Sequence, residues 1–173
     1  MKKITFLAIL MVSILTNAQV VLNEDFEGSP FVLPTDWDNV NLDPFGDASH
    51  VWTLENSGDA YYVTTGPNTY MYTIADMSGN YAIFNSDAHG YGAQDGALTS
   101  PSFDCSALTQ VVLSFNEFFT GGYGGAAFVE VSADGGTTWQ EVLSYPATDV
   151  DLHFDEQIID IMFHVIGYIY ILW

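Results

Sequence analysis

The 173-residue chain has two cationic side chains against 22 Asp and Glu. Both cations, Lys2 and Lys3, stand at the N-terminus, so no Lys or Arg occurs from Ile4 to Trp173. That absence excludes several classes of function. A nucleic-acid-binding protein neutralises phosphates with Lys and Arg, and an anionic membrane surface asks for the same groups. Neither is an expected partner. Ordinary salt bridges are excluded as well. Carboxylates that must sit close together therefore need a cation from solution, and Ca²⁺ is the natural one outside a cell. The other acids read as a solvated surface that keeps the protein soluble at the cost of some self-repulsion.

Cysteine is nearly absent too. Cys105 is single, so no internal disulfide can form. It follows Phe103 among small and apolar residues and reads as a buried structural thiol. A nucleophilic thiolate would need a base or a positive environment. The motifs of other enzymes are missing: there is no H-E-x-x-H and no G-x-S-x-G elbow. His50, His89, His153 and His164 are scattered. His164 lies in an apolar run and reads as a packed core-edge side chain. Many carboxylates are available for glycoside hydrolysis, but nothing singles out a pair. The sequence reads as a non-enzyme.

The chain opens with Lys2 and Lys3, an apolar run over 4–15, and Thr16-Asn17-Ala18. This is the pattern of a secretory signal peptide over 1–18, cleaved before Gln19. The run is shorter than the roughly 20 residues that span a bilayer. Residues 19–173 are then one exported domain. At 49% hydrophobic and 15% aromatic residues the composition excludes disorder.

No long 3.6-residue period follows the signal. Short alternating or β-branched runs are separated by Gly, Asn, Asp and Pro. Strands are expected over 20–26, 51–54, 61–64, 70–74, 81–84, 111–118, 126–132 and 139–145, and a short run, 97–100, precedes Pro101. The stretch 36–46 reads as turn-rich, and 85–96 as a loop. Residues 121–125, Gly-Gly-Tyr-Gly-Gly, read as a flexible hairpin loop between the two clearest strands. They lack the Lys-Ser/Thr of a phosphate-binding loop. Many short, evenly spaced strands mean a sandwich or barrel.

Three motifs could carry chemistry. Ser132-Ala133-Asp134-Gly135-Gly136-Thr137-Thr138-Trp139 matches the Asp-box S-x-D-x-G-x-T-W. It reads as a hairpin in which Asp134 caps the turn and Trp139 packs back on the core. Sialidase propellers repeat this box, but here it occurs once and no arginine is left to clamp a substrate carboxylate. The acidic stretch 23–28 and the later Asp43-Pro44-Phe45-Gly46-Asp47 have the Asp and Gly content of a Ca²⁺ loop, without EF-hand spacing. An Asx-turn reading fits them equally. In the loop 85–96, His89 reads as an ordinary polar residue, while Asp87 and Asp95 stand open as metal ligands.

Taken in order, these residues resemble a known group. They are Asn23-Glu24-Asp25-Phe26-Glu27-Gly28, Pro34 with Trp37, Asp43 with Trp52, Asn85-Ser86-Asp87, Leu98-Thr99-Ser100-Pro101 with Phe103-Asp104, Leu113-Ser114-Phe115, and 129–139. From residue 20 to about 167 the chain is similar to the cleaved-adhesin modules of gingipain-type surface proteins, and to choice-of-anchor J and the more distant MAM domains. The resemblance implies an all-β fold, a jelly-roll β-sandwich. It also implies export, often by type IX secretion, and a secreted or cell-surface location. The implied role is adhesion, by binding extracellular protein or glycan, with Ca²⁺ bracing the loops. Carried over by position, the metal ligands are Glu27, Asp43, Asp47 and Asp87.

The chain departs from the family pattern at its end. Residues 168–173 stop short of the acidic pair that closes family members, which implies a truncated or frame-shifted product lacking its last strand. Two further readings stand beside the adhesin. One is a carbohydrate-binding module using Tyr61, Tyr62, Tyr70 and Tyr72. The other is an accessory fragment of a secreted hydrolase.

Overall fold

The computed structural model describes residues 19–56, 59–62, 70–73, 79–90, 92–119, 125–148, 154–161 and 168–172. The strands are β1 (Asp38–Asn41), β2 (Thr53–Glu55), β3 (Asp59–Tyr62), β4 (Tyr70–Thr73), β5 (Tyr81–Ile83), β6 (Gly96–Thr99), β7 (Phe103–Asp104), β8 (Val112–Phe118), β9 (Ala127–Ser132), β10 (Gln140–Tyr145), β11 (Phe154–Asp160) and β12 (Tyr168–Leu172). One short helix, α1 (Ser86–His89), follows β5. The fold is all-β. The signal segment expected over 1–18 lies outside the described residues, as do His153 and His164. Among the described residues no helix is long and apolar enough to cross a membrane.

The main sheet runs β1-β6-β12-β9-β10, with β7 also paired to β12. Its pairs are antiparallel. β12 is its hub: Tyr170, Ile171 and Leu172 pair with Ser132, Val131 and Glu130 of β9. Its other edge meets β7 through Tyr168 and Ile169, then β6 through Leu172. The residues that mark the departure from the family pattern therefore run through the middle of this sheet.

β8 and β11 form a long antiparallel ribbon in which Leu113 faces Ile159 and Phe115 faces Gln157. Strict alternation makes the ribbon two-faced. Leu113, Phe115, Gln157 and Ile159 are half-buried, whereas Ser114, Asn116, Glu156 and Asp160 are exposed. The inner face packs on the main sheet. Val129 and Val131 of β9, with Cys105, Val111 and Ile161, form the buried core, and Phe103, Leu108, Leu113, Phe115, Val142, Leu143 and Ile159 close around it. Two sheets burying apolar faces against each other is the layering of a β-sandwich. Cys105, 4% exposed, sits inside this core as the sequence implies.

Three expectations need correction. Residues 20–26 form no strand. Glu24 Oε1 accepts the N–H of Phe26 at 2.6 Å, and Asp25 Oδ1 accepts that of Glu27 at 3.0 Å. Phe26 sits at φ 58°. Local carboxylate–backbone bonds have taken donors a ladder would need. Conversely, the turn-rich 36–46 contains β1, although Asp38, Asn39 and Asn41 are poor strand formers. Asn39 repays its place by pairing its amide with the backbone of Trp52: Nδ2 donates to Trp52 O at 2.8 Å and Oδ1 accepts Trp52 N–H at 3.0 Å. Finally, β8 and β9 are not hairpin partners. β8 pairs with β11 and β9 with β10 and β12, so the Gly-rich segment links two different sheets. Its residues 120–124 lie outside the described set.

The core location of Ile161, 1% exposed, generates a contrast with Ile158, 67% exposed on the outer face of the same strand segment. Ile161→Ala is expected to destabilise the protein by about 2–5 kcal/mol. Ile158→Thr is expected to stay within about 0.5 kcal/mol of the parent. Urea unfolding midpoints of the two variants check this.

Candidate functional site: the β1–β2 loop and its neighbours

The loop from Leu42 to Trp52 is built by side chains reading their own backbone. Asn41 Oδ1 accepts the N–H of Asp43 at 2.8 Å, Asp43 Oδ1 accepts that of Phe45 at 2.8 Å, and Asp47 Oδ1 accepts that of Ser49 at 2.9 Å. Asn41 Nδ2 crosses the loop to Asp47 O at 2.6 Å. These are successive Asx-turns. They hold Phe45 almost wholly in solvent, 95% exposed. Asp43 and Asp47 open two successive turns, closed by Gly46 N–H on Asp43 O at 3.2 Å and His50 N–H on Asp47 O at 2.9 Å. The hydrogen bonds from Ser49, backbone first and then side chain, hold the Asp47 carboxyl below its ordinary range, and His50 and His89 lower it further.

Asp43 is the chemically unusual member. Its Oδ2 is buried and has no hydrogen-bond partner. A Cβ on Gly46 would lie 3.0 Å from that oxygen, so a side chain there would press on the carboxylate. A carboxylate oxygen withdrawn from water and left unmatched is costly, and a bound cation is one way to offset that.

Glu27 stands elsewhere in the chain's hydrogen bonding. Its Oε1 accepts the N–H of Asn80 at 2.6 Å, across 53 residues, and Asn80 Nδ2 returns a bond to Phe26 O at 2.8 Å. Phe26 packs on Trp37 at 5.6 Å between ring centres. Glu27 thus ties the N-terminal segment to the turn before β5. Gly79, at φ 85°, allows that approach, since a Cβ there would collide with the Glu27 carboxylate. Asp87 lies within α1, and its side chain is not among those described. Asp95 offers its carbonyl to Leu42 N–H at 2.7 Å. Among the described residues no three His, Cys, Asp or Glu side chains converge as a metal-binding group.

The ring contacts of His89 lay outside what sequence reasoning could foresee. The 85–96 loop contains α1, started by Asn85 Oδ1 accepting Ala88 N–H at 3.1 Å and closed by Gln94 Nε2 donating to Ser86 O and Gly90 O. This turn places His89 against His50, with ring centres 4.7 Å apart. His89 also touches Phe84 at 5.1 Å, and Phe84 touches Trp52 at 5.9 Å. Trp52 Nε1 donates to Gly96 O at 3.0 Å, locking this tier to β6. No spacing rule joins residues 50 and 89.

The Asp-box folds as the sequence implies, as the β9–β10 hairpin. Asp134 Oδ1 accepts the N–H groups of Thr137 and Thr138 at 3.1 and 2.8 Å, and Oδ2 accepts the Thr138 hydroxyl at 2.6 Å. Ser132 adds its hydroxyl at 2.9 Å. Gly135 and Gly136 take φ 76° and 79°. The side-chain hydrogen bonds of Ser132, Asp134, Thr137 and Thr138 stay within the hairpin, and Ser132 also pairs with Tyr170 of β12, so the box serves the turn and the sheet.

Comparison with known proteins adds one finding. No family model and no curated protein matches the chain. Among solved structures it is similar to a cleaved adhesin domain of Lys-gingipain from Porphyromonas gingivalis, with 15% sequence identity and a TM-score of 0.51, over 89% of this chain and 87% of that one. At that identity the likeness is one of fold: the chain has an adhesin-like β fold.

The Asp134 cap generates a pH prediction. The Thr138 hydroxyl, then the Thr138 N–H, depress its pKa from 3.8 to about 2. A depressed carboxyl stabilises the fold fully above its unfolded pKa and loses that contribution as pH falls through the folded one. The difference in urea midpoint between the parent and Asp134→Asn is therefore expected to be constant above about pH 5 and to shrink towards pH 2.

Proposed function

We propose that the chain is an extracellular, non-catalytic binding module of the adhesin type, with Ca²⁺ bracing its loops and a protein or glycan as its partner. The choice-of-anchor J or MAM-like assignment, export by a secretory signal and a surface location belong to the same reading. The observation that supports the adhesin class is the likeness of fold to the cleaved adhesin domain of Lys-gingipain over most of both chains. Calcium rests on a separate observation, the buried and unmatched Oδ2 of Asp43. Ca²⁺ takes about 6–8 oxygen ligands at flexible geometry, so one or two carboxylates with carbonyls and water suffice. Asp43 and Asp47 are the carboxylates of this loop, Glu27 would brace the N-terminal segment, and Asp87 would contribute from α1.

The test is thermal unfolding in EGTA, in millimolar Ca²⁺ and in millimolar Mg²⁺. An ion that binds only the folded state raises Tm. A rise of several degrees with Ca²⁺ that Mg²⁺ does not reproduce, and that Asp43→Asn removes, is the expected result. Equal effects of the two ions would mean charge screening alone, and the metal assignments would then fall.

A glycan partner draws support from the β3–β4 ribbon. Tyr62 pairs with Tyr70 and Ala60 with Tyr72, which puts three tyrosines at positions of one parity. Tyrosine is a residue whose ring can stack on an apolar face while its hydroxyl bonds to a polar one. On this reading a glycan array shows selective binding that Tyr70→Ala and Tyr72→Ala each weaken, with Tm unchanged. Binding to protein ligands alone would assign the module to protein recognition.

A further inference from the structure

We infer that His50 and His89 form a second, nitrogen-based metal site, suited to Zn²⁺ or a similar borderline divalent ion and distinct in chemistry from any oxygen site for Ca²⁺. The two imidazoles come from different segments, the β1–β2 loop and the end of α1, and their ring centres are 4.7 Å apart with a 32° tilt. One nitrogen of each ring, Nδ1 of His50 and Nε2 of His89, is buried and without a hydrogen-bond partner. Two unmatched buried nitrogens on adjacent rings call for an explanation. A metal ion supplies one for both at once.

The geometry is compatible with a shared ion. Zinc about 2.0–2.1 Å from each ring nitrogen puts the two ring centres about 4.5–5.3 Å apart when the N–Zn–N angle is about 90–110°. Asp47 lies close enough for its charge to be felt by His89, which favours a divalent ion beside the pair. His50 and His89 are half-buried as residues, so the pair lies near the surface although these two nitrogens are covered.

The competing account is simple stacking of two neutral rings, and the two accounts differ in their response to metal. The experiment is isothermal titration of the metal-free protein with ZnCl2 in excess Ca²⁺, on the parent, His50→Ala and His89→Ala. It is joined to detection of imidazole ¹⁵N resonances in the parent, so that a variant that fails to fold does not decide the matter. The expected result is one site per chain that survives Ca²⁺, is weakened at least about tenfold by either substitution, and shifts the His50 and His89 resonances while sparing His153 and His164. Zinc binding that neither substitution weakens, resonance shifts confined to His153 or His164, or no zinc uptake in excess Ca²⁺ would each overturn the site. Because Ca²⁺ is present throughout, these outcomes are read separately from the EGTA and Ca²⁺ melting series.

Discussion

Beyond Lys3 the chain carries no ammonium or guanidinium group, so each carboxylate that folding holds in place must be met by an N–H dipole, a hydroxyl or an ion from solution. The structure meets them chiefly with N–H groups. Glu24, Asp25, Glu27, Asp43, Asp47, Asp104 and Asp134 each accept a backbone amide. In six of these the amide lies two to four residues away; Glu27 reaches Asn80. A carboxylate holding an N–H bond is stabilised in its charged form. The Ser49 N–H and then its hydroxyl hold Asp47 below its ordinary range, and the hydroxyls of Ser106 and Thr138, then their N–H groups, do the same for Asp104 and Asp134. Acidity in this protein is therefore a way of making turns as well as a surface property.

The same constraint explains how the loops are held. Each Asx-turn fixes two or three residues and leaves a neighbouring side chain in a set position. Asp43 sets Phe45 out in solvent. Asn39 and Asn41, amides without charge, staple β1 to the loop that follows. The aromatic tier of Trp52 and Phe84 then supports the loop from below, through the Trp52 bond to β6. The sandwich core positions the strands, and these polar staples position what projects from them.

How much of this was legible depended on range. Alternating runs such as Leu113-Ser114-Phe115 and Phe128-Val129-Glu130-Val131 declare strands because their burial pattern is local. The Asp-box was legible for the same reason: the hydrogen bonds of its side chains fall between Ser132 and Thr138. β1 was hidden because its stability comes from Trp52 and β6 rather than from Asp38-Asn39-Val40-Asn41. Residues 20–26 misled in the opposite sense, since apolar Val20-Val21-Leu22 is followed by acids that capture the backbone. Of the site residues, Asp43 and Asp47 stand in one loop, at the heads of consecutive turns, because only three residues separate them. The bond from Glu27 to Asn80 and the approach of His50 to His89 depend on chain crossings that no spacing encodes.

Hardness of ligand separates the two ion chemistries proposed for this one end of the β1–β2 loop. Ca²⁺ takes oxygen and has little affinity for imidazole nitrogen, whereas Zn²⁺ binds imidazole well. In a chain with 22 acids any divalent cation will gather at the surface, and that diffuse attraction is screened over about 8–10 Å at ordinary ionic strength. A specific site must therefore rest on directed, desolvated donors and not on charge. Asp43 Oδ2 and the paired nitrogens of His50 and His89 meet that description, because each is buried and each lacks a partner. An exposed carboxylate already holding a backbone amide, such as Asp25, does not. It is the unmatched donors, rather than the density of acids, that mark where a selective ion site of the kind proposed would have to lie.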